Sequence, residues 1–203
     1  MHAQVIVLAG PSGAGKSRLA ERLGLPILRL DDFYKDGSDP SLPRIVDGPN
    51  AGMVDWDHPR SWHPEDAVEA ITSLCRTGTA EVPVYDIAHD GRTGWQTLSL
   101  GDSKFFVAEG IFAQDIVADC RELGLLAEAY CVTQSAWTTF WRRLARDLRE
   151  RRKPPFVLVR RGLALKRAQP QVVADAATKG CIAVYPKHGY VAIDELIGLR
   201  RRP

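Results

Sequence analysis

The stretch that decides the fold is "QVIVLAGPSGAGKS", from Gln4 to Ser17. Its first half is a short apolar run rich in β-branched residues, which predicts a buried strand of a parallel sheet. A glycine loop follows, and a helix is predicted from Lys16 to Gly24, with Pro26 just beyond it. A strand, a glycine loop and a helix in this order are the context in which backbone N–H groups and a helix N-terminus bind phosphate.

The loop itself fits the pattern G-x-x-x-x-G-K-[ST]. Lys16 should reach the terminal phosphates of a nucleotide, and the Ser17 hydroxyl should bind Mg²⁺. The candidate nucleotide-binding residues are Gly10, Ser12, Gly13, Ala14, Gly15, Lys16, Ser17 and Arg18. A chance glycine-rich turn is the alternative, and the predicted strand and helix on either side disfavour it. The motif alone leaves kinase, ATPase and GTPase open.

Short apolar runs alternate with helical periodicity along the rest of the chain. Further strands are predicted at "PILRL", "EVPVYD", "KFFVAEG", "AEAYCV" and "CIAVY", with a Gly-rich turn and a short extended piece between the second and the third. Helices are predicted from Pro64 to Gly78, from Gln114 to Leu123, from Trp137 onward, on either side of Pro170, and in "YVAIDELIGL". This alternation predicts an α/β fold with a mainly parallel sheet flanked by helices.

Composition excludes several classes of protein. The formal net charge of the 203-residue chain is only +2, which argues against nucleic acid as a partner. The apolar run near the N-terminus is too short for a signal peptide or a spanning helix, so we expect a cytoplasmic protein with no membrane association. The cysteines have no metal-ligand spacing and are expected to be reduced and buried; they are Cys75, Cys120, Cys131 and Cys181.

Two acidic residues stand at the ends of predicted strands. Asp31 follows "PILRL" and Glu109 ends "FFVAE". Ligands of open α/β sheets bind at the carboxyl ends of the strands, so both carboxylates should face the phosphate loop. Asp31 could take the proton from an attacking hydroxyl, and Glu109 could bind Mg²⁺ directly or through water. The candidate metal ligands are Ser17, Glu109 and Asp31. Each acid could instead cap a helix or a turn.

The predicted helix from Trp137 has two different faces. One face carries Trp137, Phe140, Trp141, Leu144 and Leu148, and we expect it to be core packing. The other carries Arg142, Arg143, Arg146, Arg149, Arg151, Arg152 and Lys153, before two prolines. Guanidinium groups on one face would make a movable cationic cover that stabilises phosphoryl charge. A solvated basic face, or one that meets RNA, is the alternative.

An ordered set of motifs resembles the uridine kinase (uridine–cytidine kinase) family of P-loop kinases. The motifs are "GPSGAGKS", "DDFYK", "DHP", "PVYD" followed by an arginine, "VAEGIF" and "RRLARDLRERRK", between about Val5 and Lys153. The resemblance implies a single kinase domain over 1–203. Its parts would be a phosphate loop at 10–17, acceptor-side loops at 31–63 and 83–95, and a basic lid at 137–155. It implies ATP as the donor, with GTP as an alternative, and Mg²⁺ as the cofactor.

The same resemblance implies roles for single residues. Asp31 would be the catalytic base, and Asp32 a neighbour that helps to hold Mg²⁺ or caps a turn. Asp57 would bind the ribose hydroxyls, and Arg151 would belong to the segment that closes over the nucleotide. The catalytic residues would be Asp31, Lys16 and Arg146. The acceptor-binding residues would be Asp57, Tyr85, His89, Arg92, Arg143 and Arg146.

The base-reading positions depart from the family pattern. Ile87 stands where the family has an aromatic residue, and Asp90 where it has a histidine. His89 is one residue away and could either read the base or be an ordinary exposed histidine. The expected acceptor is a nucleoside, with uridine or cytidine first. Another small hydroxyl compound, of the pantothenate or phosphoribulose kinase type, stays open, as do a non-catalytic nucleotide-binding module and a homo-oligomer.

Overall fold

The computed structural model describes residues 3–48, 51–87, 89–149 and 155–201. The strands are β1 (Gln4–Ala9), β2 (Ile27–Arg29), β3 (Thr79–Asp86), β4 (Gly91–Ser99), β5 (Phe105–Glu109), β6 (Leu126–Val132) and β7 (Ile182–Val184). The helices are α1 (Lys16–Leu23), α2 (Pro64–Thr77), α3 (Val117–Glu122), α4 (Ala136–Arg149), α5 (Pro155–Thr178) and α6 (Pro186–Arg201). No helix in these ranges is both long and apolar enough to cross a membrane.

Five strands form one parallel sheet in the order β2-β5-β1-β6-β7, which confirms the predicted fold class. The apolar run of β1 lies in its centre because both of its faces are covered. Val5 and Val7 pack on the side of α2, and Ile6 and Leu8 pack on the side of α1 and α6. The carboxyl edge of this sheet carries the phosphate loop, which follows β1 directly.

A second, two-stranded antiparallel sheet consists of β3 and β4. The sequence predicted β3 but only a short extended piece after it, whereas β4 runs from Gly91 to Ser99. Most β4 side chains are exposed, and Gly91 and Gly94 weaken the alternation of polar and apolar residues. This strand therefore lacked the pattern by which half-buried strands are recognised.

Helix α5 corrects the prediction of separate helical pieces around Pro170. It is one helix that contains Pro170. A proline inside a helix removes one hydrogen bond and usually kinks or breaks it. Here the pyrrolidine ring is exposed, and the preceding Gln169 anchors the helix through Nε2, which donates to the Gln134 carbonyl at 2.6 Å. Tertiary contacts hold α5 together across the proline.

The aromatic face of α4 is only partly core, so the prediction of core packing was wrong for two of its members. Phe140 and Leu144 are buried, and they pack with Leu158 of α5. Trp137 and Trp141 are 53% and 61% exposed. The contact between α4 and α5 is too narrow to cover the whole aromatic stripe. The Leu148 side chain lies outside the described part of the structure.

Candidate active site

The phosphate loop is held in shape by backbone geometry. Gly10 has φ 129°, and a Cβ at this position would clash with the carbonyl oxygen of Val132 on the neighbouring strand. Gly15 begins α1 with φ 100°, and within the described structure no side chain caps this helix start. The first N–H groups of α1 are therefore available to an anion. Lys16 is buried and donates from Nζ to the Gly10 carbonyl at 2.7 Å.

Ser17 and Glu109 meet beside the loop. The register of the sheet pairs Leu8 with Glu109, which brings the end of β5 next to the end of β1. The Ser17 hydroxyl donates to Glu109 Oε1 at 3.0 Å. Burial raises the pKa of the Glu109 carboxyl above its usual range, although the charge of Lys16 works in the opposite direction. A buried carboxylate beside a hydroxyl suits a hard cation.

These two groups fit a magnesium ion that is shared with a nucleotide. Mg²⁺ in such sites binds one or two protein oxygens and completes its shell with water and phosphate oxygens. Among the described residues, no group of three or more His, Cys, Asp or Glu side chains could hold a metal ion without such help.

Asp31 lies at the same edge of the sheet, but not at the end of a strand. Strand β2 ends at Arg29, and a short 3-10 helix, Leu30–Phe33, follows it. The Ile111 backbone N–H donates to Asp31 Oδ1 at 3.3 Å. A Cβ on Gly110 would lie 2.8 Å from the Leu30 Cβ and 3.1 Å from Asp31 Oδ1, so only glycine permits this approach. The Asp31 side chain is exposed, and its charge helps to raise the pKa of Glu109.

Asp32 has a different environment from its neighbour. Its carboxyl is half-buried and is hydrogen-bonded by the backbone of Tyr85, on β3. Burial raises the pKa of Asp32 in spite of that bond. The two aspartates lie in a 3-10 turn, which gives their side chains different directions. Asp31 contacts the end of β5, and Asp32 contacts the hairpin.

A cavity of about 410 Å³ lies between the phosphate loop, the segment after β5, and helices α4 and α5. Ser12 of the loop and Asp57 both line it. The chain before Asp57 is fixed because the Trp56 carbonyl accepts hydrogen bonds from the hydroxyls of Tyr34, at 3.2 Å, and Ser61, at 3.3 Å. The structure thus brings a residue of the phosphate loop and the predicted ribose-binding acid into one cavity.

The predicted hairpin residues lie elsewhere. Among the described residues, the cavity lining includes neither Tyr85 nor His89 nor Arg92. The Tyr85 hydroxyl donates to the Lys35 carbonyl at 3.3 Å, and burial, with help from nearby acids, raises the pKa of Tyr85. The His89 side chain is 78% exposed, and its Nδ1 lies 2.6 Å from Asp86 Oδ2. The Arg92 guanidinium lies 4.7 Å from the Trp95 ring centroid.

The predicted basic lid can be described only in part. The side chains of Arg143 and Arg146, and the whole of Arg151, lie outside the described structure. Arg142, on the same helix, reaches the phosphate loop, because its Nη1 is 3.8 Å from the place of a Cβ on Gly15. The sequence put Arg142 on the basic face but did not single it out, since helical spacing does not rank neighbouring arginines. Arg18 is exposed on the first turn of α1.

Comparison with known proteins agrees with this geometry. Residues 5–154 match the model of the Phosphoribulokinase / Uridine kinase family. A 114-residue stretch is 32% identical to the inorganic pyrophosphatase TTM1 of Arabidopsis thaliana, covering 54% of this chain but only 16% of that protein's length. A uridine kinase of Clostridium botulinum is 24% identical over 203 residues, covering 95% of this chain and 93% of the relative.

A solved structure shares the fold at lower identity. The protein from Silicibacter sp. TM1040 described as a "putative fructose transport system kinase" superposes with a TM-score of 0.56 and 16% identity, over 85% of each chain. This likeness shows the P-loop kinase fold and no more. The family match covers most of the chain, including the phosphate loop, both acids at the sheet edge and Asp57. The chain therefore belongs to the phosphoribulokinase/uridine kinase family of P-loop kinases.

Proposed function

We propose that the protein transfers the γ-phosphate of ATP to the primary hydroxyl of a nucleoside, with uridine or cytidine as the acceptor. The observation that carries the proposal is the shared cavity, in which Ser12 of the phosphate loop and Asp57 line the same space. A volume of about 410 Å³ is within the range of small-molecule sites. The uridine kinase relatives support a nucleoside as the first acceptor to be tested.

The donor side needs only groups that the chain already holds in place. Backbone N–H groups of the loop and the start of α1 would bind the phosphates of ATP, or of GTP as the alternative donor. Lys16 would leave the Gly10 carbonyl, to which it donates at 2.7 Å, and bind terminal phosphate oxygens. Ser17 and Glu109 would hold Mg²⁺, which neutralises charge on the transferred group when it is bound. Arg142, Arg143, Arg146 and Arg151 would add cationic groups from the lid.

Asp31 is the proposed base for the acceptor hydroxyl. It is anchored by one backbone N–H at the end of β5, and its charge acts on Glu109 beside the loop. A carboxylate in this position can accept the hydroxyl proton as the oxygen approaches phosphorus. Asp32 is the less suitable candidate, because its carboxyl is half-buried against the backbone of Tyr85, whereas the Asp31 side chain is exposed.

Asp57 is the proposed sugar-binding group. A carboxylate has acceptor sites for two hydroxyl groups at once, which matches the ribose diol. Tyr85, His89 and Arg92 stay proposed acceptor contacts of the hairpin, and they would need to approach the cavity for that role. In the described structure the hairpin is instead tied to the segment after Tyr34, because the Gly37 N–H donates to the Asp90 carbonyl at 2.6 Å.

That tie favours a second candidate, a kinase of another small hydroxyl metabolite. Ile87 is 53% exposed, the Asp90 backbone carbonyl accepts from the Gly37 N–H, and neither residue lines the cavity. A pantothenate-like or phosphorylated-sugar acceptor would need Asp57 and the phosphate machinery but no base-reading hairpin.

The test is turnover of Mg-ATP with a panel of acceptors, followed by mass spectrometry and NMR of the products. The panel contains uridine, cytidine, adenosine, pantothenate and ribulose 5-phosphate, with 5′-deoxyuridine as a control that lacks the reacting hydroxyl. We expect ADP and a nucleoside 5′-phosphate from uridine or cytidine only. Phosphorylation of another compound alone would establish the second candidate. Nucleotide binding without any product would identify a non-catalytic module.

A further inference from the structure

Strand β4 has an open edge. It pairs with β3 alone, and among the described residues no other strand lies along its outer side. Near its start the Arg92 N–H donates to Asp36 Oδ1 at 2.7 Å. The remainder, from Thr93 to Ser99, contains no charged residue and no proline, and most of its side chains are exposed. Such an edge is a template for pairing with another strand.

The phase of the β3–β4 ladder decides which backbone groups point outward. The Leu100 N–H donates to the Gly78 carbonyl at 2.8 Å, so this is a hydrogen-bonded pair, and the two kinds of pair alternate from there. Pro83 and Trp95 then form a pair without mutual hydrogen bonds, which agrees with the missing N–H of proline. The β4 residues whose N–H and C=O groups point away from β3 are therefore Trp95, Thr97 and Ser99.

These outward groups are self-complementary about Thr97. If two copies of β4 lie antiparallel about a two-fold axis, Thr97 faces Thr97 of the second copy, and Trp95 faces Ser99. Each of these pairs can exchange both of its N–H···O bonds. The small Ser99 side chain leaves room for the Trp95 indole, which is 58% exposed, and no like charges face each other.

We propose that the outer edge of β4 is a self-association surface, at which Trp95, Thr97 and Ser99 pair with the same residues of a second copy and join two hairpins into one four-stranded sheet. A second copy fits better than another protein because one symmetric register satisfies every outward group. Charge agrees with this register, since Arg92 at the start of β4 lies toward the end of the partner strand, beyond which the partner subunit's Asp102 is exposed. The inference does not depend on the proposed kinase reaction.

Sedimentation equilibrium of the full chain tests the association, with Thr97→Pro as the disrupting variant. Wild-type protein should sediment as a dimer or a larger even-numbered assembly. Thr97→Pro removes the outward N–H at the centre of the edge and should raise the dissociation constant at least about 100-fold. The hairpin itself should persist with a similar melting temperature, because Pro83 already occupies an outward position of this kind on β3.

The matched control is Thr97→Val. It keeps the backbone N–H and loses only the hydroxyl, which donates to Glu81 Oε1 within the same hairpin. Its dissociation constant should therefore stay close to that of the wild-type protein.

Amide hydrogen exchange measured by NMR tests the same edge without any variant. The N–H groups of Gln96 and Leu98 point to β3 and should be protected at every protein concentration. Those of Trp95, Thr97 and Ser99 should be protected only in the associated form, so their protection should increase with concentration.

Three outcomes overturn the inference. In the first, the wild-type protein is a monomer in which the outward amides exchange rapidly. In the second, these amides are protected in a monomer, so another part of the chain covers the edge. In the third, Thr97→Pro folds and associates as tightly as the wild-type protein, so the copies meet elsewhere. If Thr97→Pro does not fold, the exchange pattern of the wild-type protein decides alone.

Discussion

The phosphate loop and the β3–β4 hairpin are held in place by different means. The loop follows the central strand of a buried sheet. Gly10 allows the loop to approach the Val132 carbonyl, and Gly110 allows Leu30 and Asp31 to approach the end of β5. The hairpin lies outside that sheet, is exposed along most of β4, and is tied to the loop after Tyr34 by a few hydrogen bonds. Its position depends on these hydrogen bonds and on the burial of Ala80 and Val82 in the core.

This contrast indicates a division of labour. The donor side binds a group common to all the enzymes that use ATP, so its geometry can rest on the backbone. The proposed acceptor side would have to distinguish one metabolite from others, and it would do so with individual side chains such as Asp57. Substitutions on the donor side should therefore stop the reaction, whereas substitutions on the acceptor side should change affinity.

The largest effect is expected for Lys16→Ala. Removing the ammonium group at the terminal phosphates should lower turnover by at least about 10³-fold, because it stabilises charge in the transition state. The fold should persist, since the backbone of the loop is unchanged, and circular dichroism with thermal melting would show this. Near-normal turnover would show that the phosphate-loop assignment is wrong, and the contrast between the donor side and the acceptor side would then not hold.

The next effect is expected for Asp31→Asn, which should lower kcat by roughly 10²–10⁴ with little change in ATP affinity. Its neighbour provides the matched control. Asp32→Asn should cost much less, because Asp32 contacts the backbone of Tyr85 and not the end of β5. Single-turnover rates of both variants decide the assignment. A larger loss for Asp32→Asn would exchange the two roles, and small losses for both would leave positioning and Mg²⁺ to carry the transfer.

A smaller effect, on affinity, is expected for Asp57→Ala. Loss of a charged partner of two hydroxyls should weaken acceptor binding by about 1.5–3 kcal/mol and leave ATP binding nearly unchanged. Calorimetric titration of both ligands measures this difference. Asp47→Ala, an exposed acid on the same segment, serves as the control and should change neither affinity. If the affinities for both ligands fell equally, Asp57 would not be an acceptor-binding residue.

The smallest effect concerns Lys179, which joins two walls of the cavity through Asp115 and Asp175, at 2.7 and 2.8 Å. Partial burial alone would lower the pKa of Lys179, but the bonds to both aspartates outweigh it and raise the pKa. The side chain is 37% exposed, so solvent screening limits the pair, and Lys179→Met should cost about 0.5–1 kcal/mol of unfolding free energy.

The raised pKa of Lys179 determines how its contribution to the free energy of unfolding changes with pH. The stabilisation is fully present below the ordinary pKa of lysine and is lost as the pH rises through the higher value of the folded state. Urea unfolding of the wild-type protein and of Lys179→Met should therefore show the difference in unfolding free energy at about pH 7 and a smaller difference at about pH 11. Lys104→Met, at an exposed position, is the control. A difference that persists at high pH would mean that packing, and not charge, is responsible.

The donor side could be predicted from the sequence because its signals are local. A strand, a glycine loop and a helix are adjacent in the chain, and the pairing of Glu109 with Ser17 follows from both strands ending at one edge of a parallel sheet. The resemblance to the uridine kinase family predicted a role for Asp57, which lines the same cavity as Ser12; that role stays a prediction.

The acceptor side and the lid were harder to predict because their contacts are not local. The burial of Gln114 depends on how segments distant in the sequence pack together, and a single buried glutamine has no spacing pattern. The exposure of Trp137 and Trp141 depends on the width of the α4–α5 contact, which periodicity does not report. The 3-10 turn at Asp31 was not predicted either, because a four-residue turn is too short to show a periodic pattern.

The long segment between Tyr34 and Trp62 leaves and rejoins the protein at a single point, because these two residues form an antiparallel bridge. Closing such a loop costs entropy that grows only slowly with its length. Insertions and deletions inside it should therefore be tolerated while the sheet and the phosphate loop stay as they are. The segment can therefore change in sequence and length while the rest of the fold stays the same. Such changes, in evolution or by exchange of the segment between relatives, could give one phosphorylating core new acceptors.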